Sequence, residues 1–129
     1  MSKILTEISA GELLDKLSIL EIKLNKINDP ALLRKIKKEH YVINETKKKN
    51  INSSNEINAL YIELKKINER LWEIEDKIRS CEKNSDFKDK FIQLARDVYF
   101  SNDKRAKIKS EINKILGSNI QEVKQYTQY

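Results

Sequence analysis

A heptad repeat in the middle of the chain constrains the fold more than any other feature. Apolar side chains recur every third or fourth residue over more than three heptads, at Ile57, Leu60, Leu64, Ile67, Leu71, Ile74, Ile78 and Cys81. This spacing lines one face of an α-helix and is typical of long helices that pack side by side. We predict one helix from Ser54 to about Lys83, roughly 45 Å long at 1.5 Å per residue, with Ser53 and Glu56 as its capping box.

Two shorter helices are predicted before this one. The first begins at a capping box formed by Ser9 and Glu12, and leucines follow at three- and four-residue spacing. The second runs from Pro30 to about Lys48, with Asp29 as its N-cap and Pro30 in the first turn, where a missing N–H is tolerated. The sequence leaves open whether Pro30 separates two helices or kinks one.

A fourth long helix is predicted from about Asp86 to Leu116, although its apolar stripe is interrupted. Ser101 and Arg105 take two positions of the stripe, and isoleucines resume after them in the same register. A loop would not preserve this phase, so we predict one continuous helix that ends before Gly117, a common residue after a helix end. The segment SNIQEV then predicts a short terminal helix.

The composition supports a fold without β-structure. The chain has 129 residues but only two glycines and one proline, too few for the turns of an all-β domain. We predict an all-α fold: an antiparallel bundle of long helices with coiled-coil-like packing, with four main helices and a short C-terminal helix, in one domain spanning residues 1–129. A single cysteine excludes an intramolecular disulfide. Helices this long exceed what a compact monomer needs, so we expect a homodimer formed through the third or fourth helix.

The net charge of +6 is concentrated in the second predicted helix. Residues 30–50 contain seven lysines and arginines against two glutamates, a local charge of +5. Few aromatic residues and no glycine loop accompany these lysines, so we do not expect a nucleic-acid partner and keep nonspecific binding as a minor alternative. The segment MSKILTEISAGE lacks the apolar run of a signal peptide, and no segment is apolar enough to cross a membrane. We therefore expect a cytoplasmic protein.

The polar interval of the fourth helix supplies the first candidate site. A buried arginine is costly unless it is paired, so Arg105 indicates a functional or structural requirement. Arg105 could bind a phosphate or carboxylate together with Asn102, Lys109 and, from the third helix, Arg79. Alternatively, an acid inside the bundle neutralises Arg105, and the polar interval fixes the alignment of the helices. The acids considered for this role are Glu73, Asp76 and Asp103.

A second candidate site involves the third helix. Glu73 and Asp76 lie three residues apart, as Glu12 and Asp15 do on the first helix. Two such pairs on facing helices could hold Mg²⁺. The all-α nucleoside-triphosphate pyrophosphohydrolases, which are similar in architecture, bind Mg²⁺ in this way. The chain has three such acidic pairs, about the number that random placement gives. We therefore predict no cofactor and no metal, and keep Mg²⁺ at Glu73 and Asp76 as the weaker alternative. Trp72 could line a pocket beside them, or it could simply pack against the helix seam.

Four segments of the chain together resemble a known family. They are GELLDKLSILEIKLNKI, LWEIEDKIRSCE, FIQLARDVYFSNDKRAKIK and GSNIQEVKQY, and they cover nearly the whole chain in this order. The chain resembles a family of short bacterial and viral all-helical proteins that is known as a domain of unknown function. The resemblance implies a single helical domain, and it carries no catalytic residue over to this chain.

These observations favour a homo-oligomeric helical bundle that acts as an interaction or accessory module, with a protein partner, rather than as an enzyme. The alternative is a small all-α enzyme or binding domain for an anionic or phosphorylated ligand. In that case Arg79, Arg105 and Lys109 would bind the anion, while Glu73 and Asp76 would bind Mg²⁺ or transfer a proton.

Overall fold

Four α-helices account for all the regular structure of the chain. The computed structural model describes residues 1–129 and contains no β-strand. The helices are α1 (Ala10–Lys26), α2 (Pro30–Asn50), α3 (Asn55–Lys83) and α4 (Asp89–Leu116). They pack against one another as a bundle. The predicted all-α bundle is therefore confirmed, including the continuity of α4 across its polar interval.

The ends of α1 and α2 follow local capping signals. The Ser9 hydroxyl accepts a hydrogen bond from the Glu12 N–H (3.1 Å), and the Asp29 carboxylate accepts one from the Leu32 N–H (3.0 Å). These bonds satisfy donors that lack a partner in the first helical turn. Pro30 begins α2, so it separates two helices and does not kink one.

The starts of α3 and α4 differ from the prediction by one to three residues. α3 is capped by Ser54 and not by Ser53, because the Ser54 hydroxyl accepts from the Ile57 N–H at 3.2 Å. α4 begins three residues later than predicted, at Asp89, and its N-cap side chain makes no capping bond. Asp86 instead accepts a hydrogen bond from the Lys88 N–H at 3.2 Å, a local turn that competes with an earlier helix start.

The predicted C-terminal helix is absent. Gly117 adopts a left-handed conformation (φ 61°) that ends α4, and the Ser118 N–H donates to the Asn113 carbonyl at 2.9 Å. The Ser118 hydroxyl, at the start of the segment SNIQEV where a cap would be needed, accepts instead from the Ala10 N–H at the start of α1 (3.0 Å). We call residues 118–129 the C-terminal strap, since they continue without regular structure beside α4.

Helix α1 is the central element of the bundle. It carries eight of the 20 buried residues, more than any other helix. Leu14 packs in an apolar cluster with Ile57 and Leu64 of α3 and Ile108 and Ile112 of α4. The leucines at 13, 17 and 20 are also buried, and at about 100° per residue they lie on an adjacent side of α1, roughly 60° to 120° around the helix from Leu14. Helix α1 packs against α2 as well as against α3 and α4.

Helix α2 is the outermost helix. It packs along α1 and contains no buried residue. Its end reaches α3 through the ammonium group of Lys47, which lies 5.9 Å from the ring centre of Tyr61. The lysine-rich helix therefore covers α1 with one face and leaves the other face exposed.

A second apolar cluster lies towards the turn between α3 and α4. It consists of Ile74 and Cys81 from α3 and Leu94 from α4, with no contribution from α1 or α2. The two clusters are separated along α3 by Asn68 and along α4 by Ser101 and Arg105, all at least partly buried. This polar layer is where α1 meets the α3–α4 pair.

Candidate functional site

Buried polar side chains from three helices converge in this layer. Asp15 and Ser18 of α1 are fully buried, and Asn68 of α3 and Ser101 of α4 are nearly so. A buried carboxylate is costly unless charge and hydrogen bonds compensate it. Every side-chain nitrogen and oxygen of the chain that is shielded from solvent has a hydrogen-bond partner.

Asp15 is the centre of the network. Arg105 approaches its carboxylate with two nitrogens, Nε to Oδ1 at 2.9 Å and Nη2 to Oδ2. The Asn68 amide donates to Asp15 Oδ1 and to the Ser18 hydroxyl oxygen, each at 2.8 Å, and the Ser18 hydroxyl donates to the Asp15 carbonyl at 2.8 Å. A paired approach by a guanidinium fixes both distance and orientation. This network therefore sets the register of α1 against α3 and α4.

The electrostatics of the network favour the ionised carboxylate. Burial by itself raises the pKa of Asp15. The hydrogen bonds from Arg105 and Asn68 and the charges of Arg105 and Lys109 outweigh burial, so the pKa of Asp15 lies below its ordinary value. The hydrogen bond to Asp15 in turn raises the pKa of Arg105. Both groups are charged at neutral pH.

Lys109 extends the network one turn further along α4. Its ammonium group contacts Glu12 Oε2 at 2.8 Å, Glu122 Oε2 at 3.1 Å and Asp15 Oδ2 at 3.7 Å, and its side chain is only 10% exposed. Burial lowers the pKa of Lys109, but these carboxylates overcome that effect and raise it. Lys109 therefore ties α1 and the strap to α4.

The charges within the network are already balanced. Three cations, Arg105, Lys109 and Lys124, face the three carboxylates of Asp15, Glu12 and Glu122. An added anion would therefore have to displace one of these carboxylates.

A close approach between α1 and α4 holds the network in place. The Gly11 N–H donates to Asn113 Oδ1 at 2.7 Å. A Cβ atom on Gly11 would lie 2.6 Å from the Lys109 carbonyl oxygen, closer than real Cβ atoms come to other atoms. Only glycine at this position allows the two helices to approach this closely.

The C-terminal strap adds contacts to the segment before α1 and to α4. The Asn119 amide donates to Glu7 at 2.8 Å, and the Tyr129 hydroxyl contacts Asp103. The ring of Tyr129 lies 5.4 Å from that of Tyr99 and 5.1 Å from that of Phe100, between ring centres. Its hydrogen bond to Asp103 raises the pKa of Tyr129 to about 12.

The structure brings only some of the predicted anion-site residues together. Arg105 and Lys109 belong to the network, and Asn102 lies half-buried one turn before Arg105. Arg79 lies eleven residues past Asn68 on α3, about 16 Å further along the helix, where it pairs with Glu75 at 2.7 Å. Arg79 is therefore not part of a site with Arg105.

The acid that pairs with Arg105 is Asp15, and not any of the three acids that the sequence suggested. Glu73 and Asp76 are exposed on α3, and Asp103 contacts Tyr129. The pairing joins residues 90 positions apart, so no local pattern identifies it. The sequence offers one local indication that Asp15 is the partner: this acid lies next to the apolar stripe of a helix that is mostly buried.

The carboxylates of the second candidate site are not assembled into a cluster. Trp72 is half-buried beside the exposed Glu73 and Asp76. No group of three or more His, Cys, Asp or Glu side chains is arranged to hold a metal ion. Binding of Mg²⁺ at Glu73 and Asp76 stays the weaker alternative. None of the four helices combines the length and apolarity that crossing a bilayer requires.

These features define the class of the protein: an all-α bundle in which a buried ion-pair network joins the central helix to the α3–α4 pair. The particular family follows from comparison with known proteins. A family described as of unknown function, DUF6165, matches residues 4–129, and the chain belongs to this family. Comparisons with curated proteins and with solved structures gave no match.

Proposed function

We propose that this protein is an interaction or accessory module that self-associates, most simply as a dimer, through residues 69–100, which we call the distal hairpin. One observation carries the proposal. The apolar cluster of Ile74, Cys81 and Leu94 is built by two helices alone, whereas the other cluster is covered by three. Two packed helices cannot enclose a core, so their apolar side chains stay partly open to solvent.

The open apolar side chains of the distal hairpin are large. Those that are partly exposed are Leu71, Trp72, Ile78, Phe91 and Val98. Phe87 and Ile92 are about half exposed, at 51% and 53%. Each buried Å² of such surface is worth about 25 cal/mol. Ile78, Phe91 and Val98 pack against the cluster and stay partly exposed. Exposed apolar surface of this kind is typical of a protein–protein contact.

The charges of the distal hairpin suit a second copy of the same chain. Residues 69–100 contain eight acidic and seven basic side chains, interspersed and nearly neutral in sum. A two-fold interface places the same surface on both sides, so it requires self-complementary charges. Helix α2, with its local charge of +5, would repel its own copy.

The test is sedimentation of the purified protein over a range of concentrations. We expect a dimer for the wild type and a monomer for Phe87→Lys, because the Phe87 ring lies edge-on against that of Phe91, 5.5 Å between ring centres, at the open side of the cluster. The matched control is Val42→Lys, whose side chain is equally exposed (54%) but lies outside the distal hairpin. The control should remain a dimer. A wild type that stays monomeric at millimolar concentration would refute the proposal.

A second candidate function is binding of a polyanion by α2. The observation that favours it is the charge of this helix, which has no buried residue and whose residues 30–50 carry five of the six net positive charges of the chain. At 3.6 residues per turn, Arg34, Lys38 and Lys49 lie on the side away from α1, with Tyr41 beside them. Phosphates of a nucleic acid would match such a row of cations.

Salt dependence tests this candidate. The logarithm of the affinity for duplex DNA should fall linearly with the logarithm of salt concentration, by about 0.9 for each phosphate contacted. Replacing Lys38 by Gln should reduce this slope by about one contact, whatever the DNA sequence. Replacing the exposed Lys77 on α3 should leave the slope unchanged. No binding at low salt would rule the candidate out.

A further inference from the structure

The position of Glu122 suggests that the strap occupies a binding site. Its carboxylate lies between two lysine ammonium groups, 3.1 Å from Lys109 and 3.6 Å from Lys124. The hydrogen bond from Lys109 lowers the pKa of Glu122, so the carboxylate is an anion in place. The other carboxylates on Lys109 come from helix α1, whereas Glu122 belongs to a segment without regular structure.

The charge balance identifies what could replace Glu122. Without its carboxylate, the cations Arg105, Lys109 and Lys124 would face only Glu12 and Asp15, which leaves one positive charge in excess. A single phosphate or carboxylate group would restore the balance. Such a group would bind with charge-assisted hydrogen bonds, which are stronger than neutral ones.

The space around Glu122 can hold more than a bare anion. A cavity of about 190 Å³ adjoins Lys109, with the Ser110 and Asn113 side chains in its wall. A larger cavity of about 880 Å³ lies between α4 and the strap and shares Ala106 and Lys124 with the first. Its wall includes the rings of three tyrosines: Tyr99, Tyr126 and Tyr129. Aromatic walls beside a few convergent polar groups are typical of small-molecule sites.

We propose that this space between α4 and the C-terminal strap binds a small anionic ligand, with a phosphate or carboxylate group held by Lys109 and Lys124 in the place of Glu122. The body of the ligand packs against the tyrosine rings of the larger cavity. Glu122 is then an internal competitor that the ligand displaces. This site is independent of the distal hairpin and does not require the protein to self-associate.

Calorimetric titration of the full-length protein at constant ionic strength tests the proposal. The probes are inorganic phosphate, phenyl phosphate and benzoate, so that the anionic group and the ring are examined separately. Phenyl phosphate or benzoate should bind more tightly than inorganic phosphate, because only these two offer a ring to the tyrosines. Whichever of the two binds more tightly identifies the group that the lysines select.

Three variants distinguish binding at this site from nonspecific binding of anions to a positively charged protein. Glu122→Gln removes the competing charge and should tighten binding about tenfold or more, equivalent to 1.4 kcal/mol. Lys124→Gln should weaken binding by a similar factor. Lys114→Gln, at an exposed lysine of α4, should leave binding unchanged. Equal affinity of the wild type and Glu122→Gln, or binding of none of the three probes, would overturn the proposal.

Discussion

Asp15 is the residue on which the polar contacts of the three core helices converge. It is fully buried, and its carboxylate holds Arg105, Asn68 and, more distantly, Lys109. A buried ion pair adds little to the net stability of a fold. Removing one partner nevertheless lowers the free energy of unfolding strongly, because the other charge is left without compensation. The importance of Asp15 therefore lies in specifying one arrangement of the helices.

Removing the charge of Asp15 should destabilise the fold strongly. Asp15→Asn keeps the shape but leaves Arg105 and Lys109 with less negative charge in a partly buried layer. We expect the free energy of unfolding to fall by about 3 kcal/mol. Urea denaturation of the variant measures this change. Asp76→Asn, on the exposed face of α3, should change it by less than about 0.5 kcal/mol, and equal effects of the two substitutions would contradict this role of Asp15.

The stability that Asp15 provides should depend on pH. Because the folded-state pKa of Asp15 lies below its ordinary value, the unfolded chain binds its proton first as the pH falls. The contribution is therefore complete above the ordinary pKa of about 3.9, and it is lost as the pH falls through the lowered value. The stability difference between wild type and Asp15→Asn should shrink from pH 7 to pH 3 in urea titrations. A constant difference would mean that folding does not lower the pKa of Asp15.

The residues of the network differ in how far the sequence predicts them. Arg105 and Lys109 could be recognised from the sequence, because a cation on or beside an apolar stripe is costly to bury unless a partner neutralises its charge. Their partners could not be recognised, since the chain offers 20 acids and the pairing with Asp15 spans 90 positions. Glu122 was missed for a related reason, because its segment was predicted to form a helix of its own.

At the scale of the elements, a capping side chain determines where a helix begins, unless a tertiary contact uses that side chain first. Ser9 and Asp29 cap their helices as the sequence predicts, since the capping bond closes within three residues. Ser118 has the same chemistry, but its hydroxyl accepts from the Ala10 N–H of α1. Because the Ser118 hydroxyl is bonded to α1, it is not available to cap a terminal helix.

The approach of α1 to α4 should be sensitive to a single methyl group. Gly11→Ala places a Cβ atom against the Lys109 carbonyl, and backbone atoms cannot yield as a flexible side chain can. We expect a loss of about 2 kcal/mol from overpacking, measured by thermal or urea unfolding.

Gly117→Ala is the matched comparison for this prediction. Gly117 has a left-handed φ of 61°, but no atom lies within 4 Å of the added Cβ. Its cost should come from backbone strain alone, about 1 kcal/mol. A Gly11→Ala variant as stable as the wild type would show that the two helices are not held at this distance.

At the scale of the whole molecule, the four helices are unequally supported. α1 is enclosed by the other three, α2 rests on α1 alone, and the distal hairpin extends beyond the layer where α1 crosses. Helices packed in pairs are stabilised less than helices in a three-sided core, because most helical stability comes from the burial of an apolar face. The proposed dimer supplies the third side that the distal hairpin lacks.

Hydrogen exchange at two protein concentrations tests this account most directly. At low concentration, amides of residues 74–94 should exchange faster than those of residues 57–68 and 105–112, which pack around Leu14. At high concentration, protection should rise in the distal hairpin and stay unchanged in the three-helix core. Protection in the distal hairpin that does not change with concentration would contradict the account, because it would mean that no second copy covers this surface.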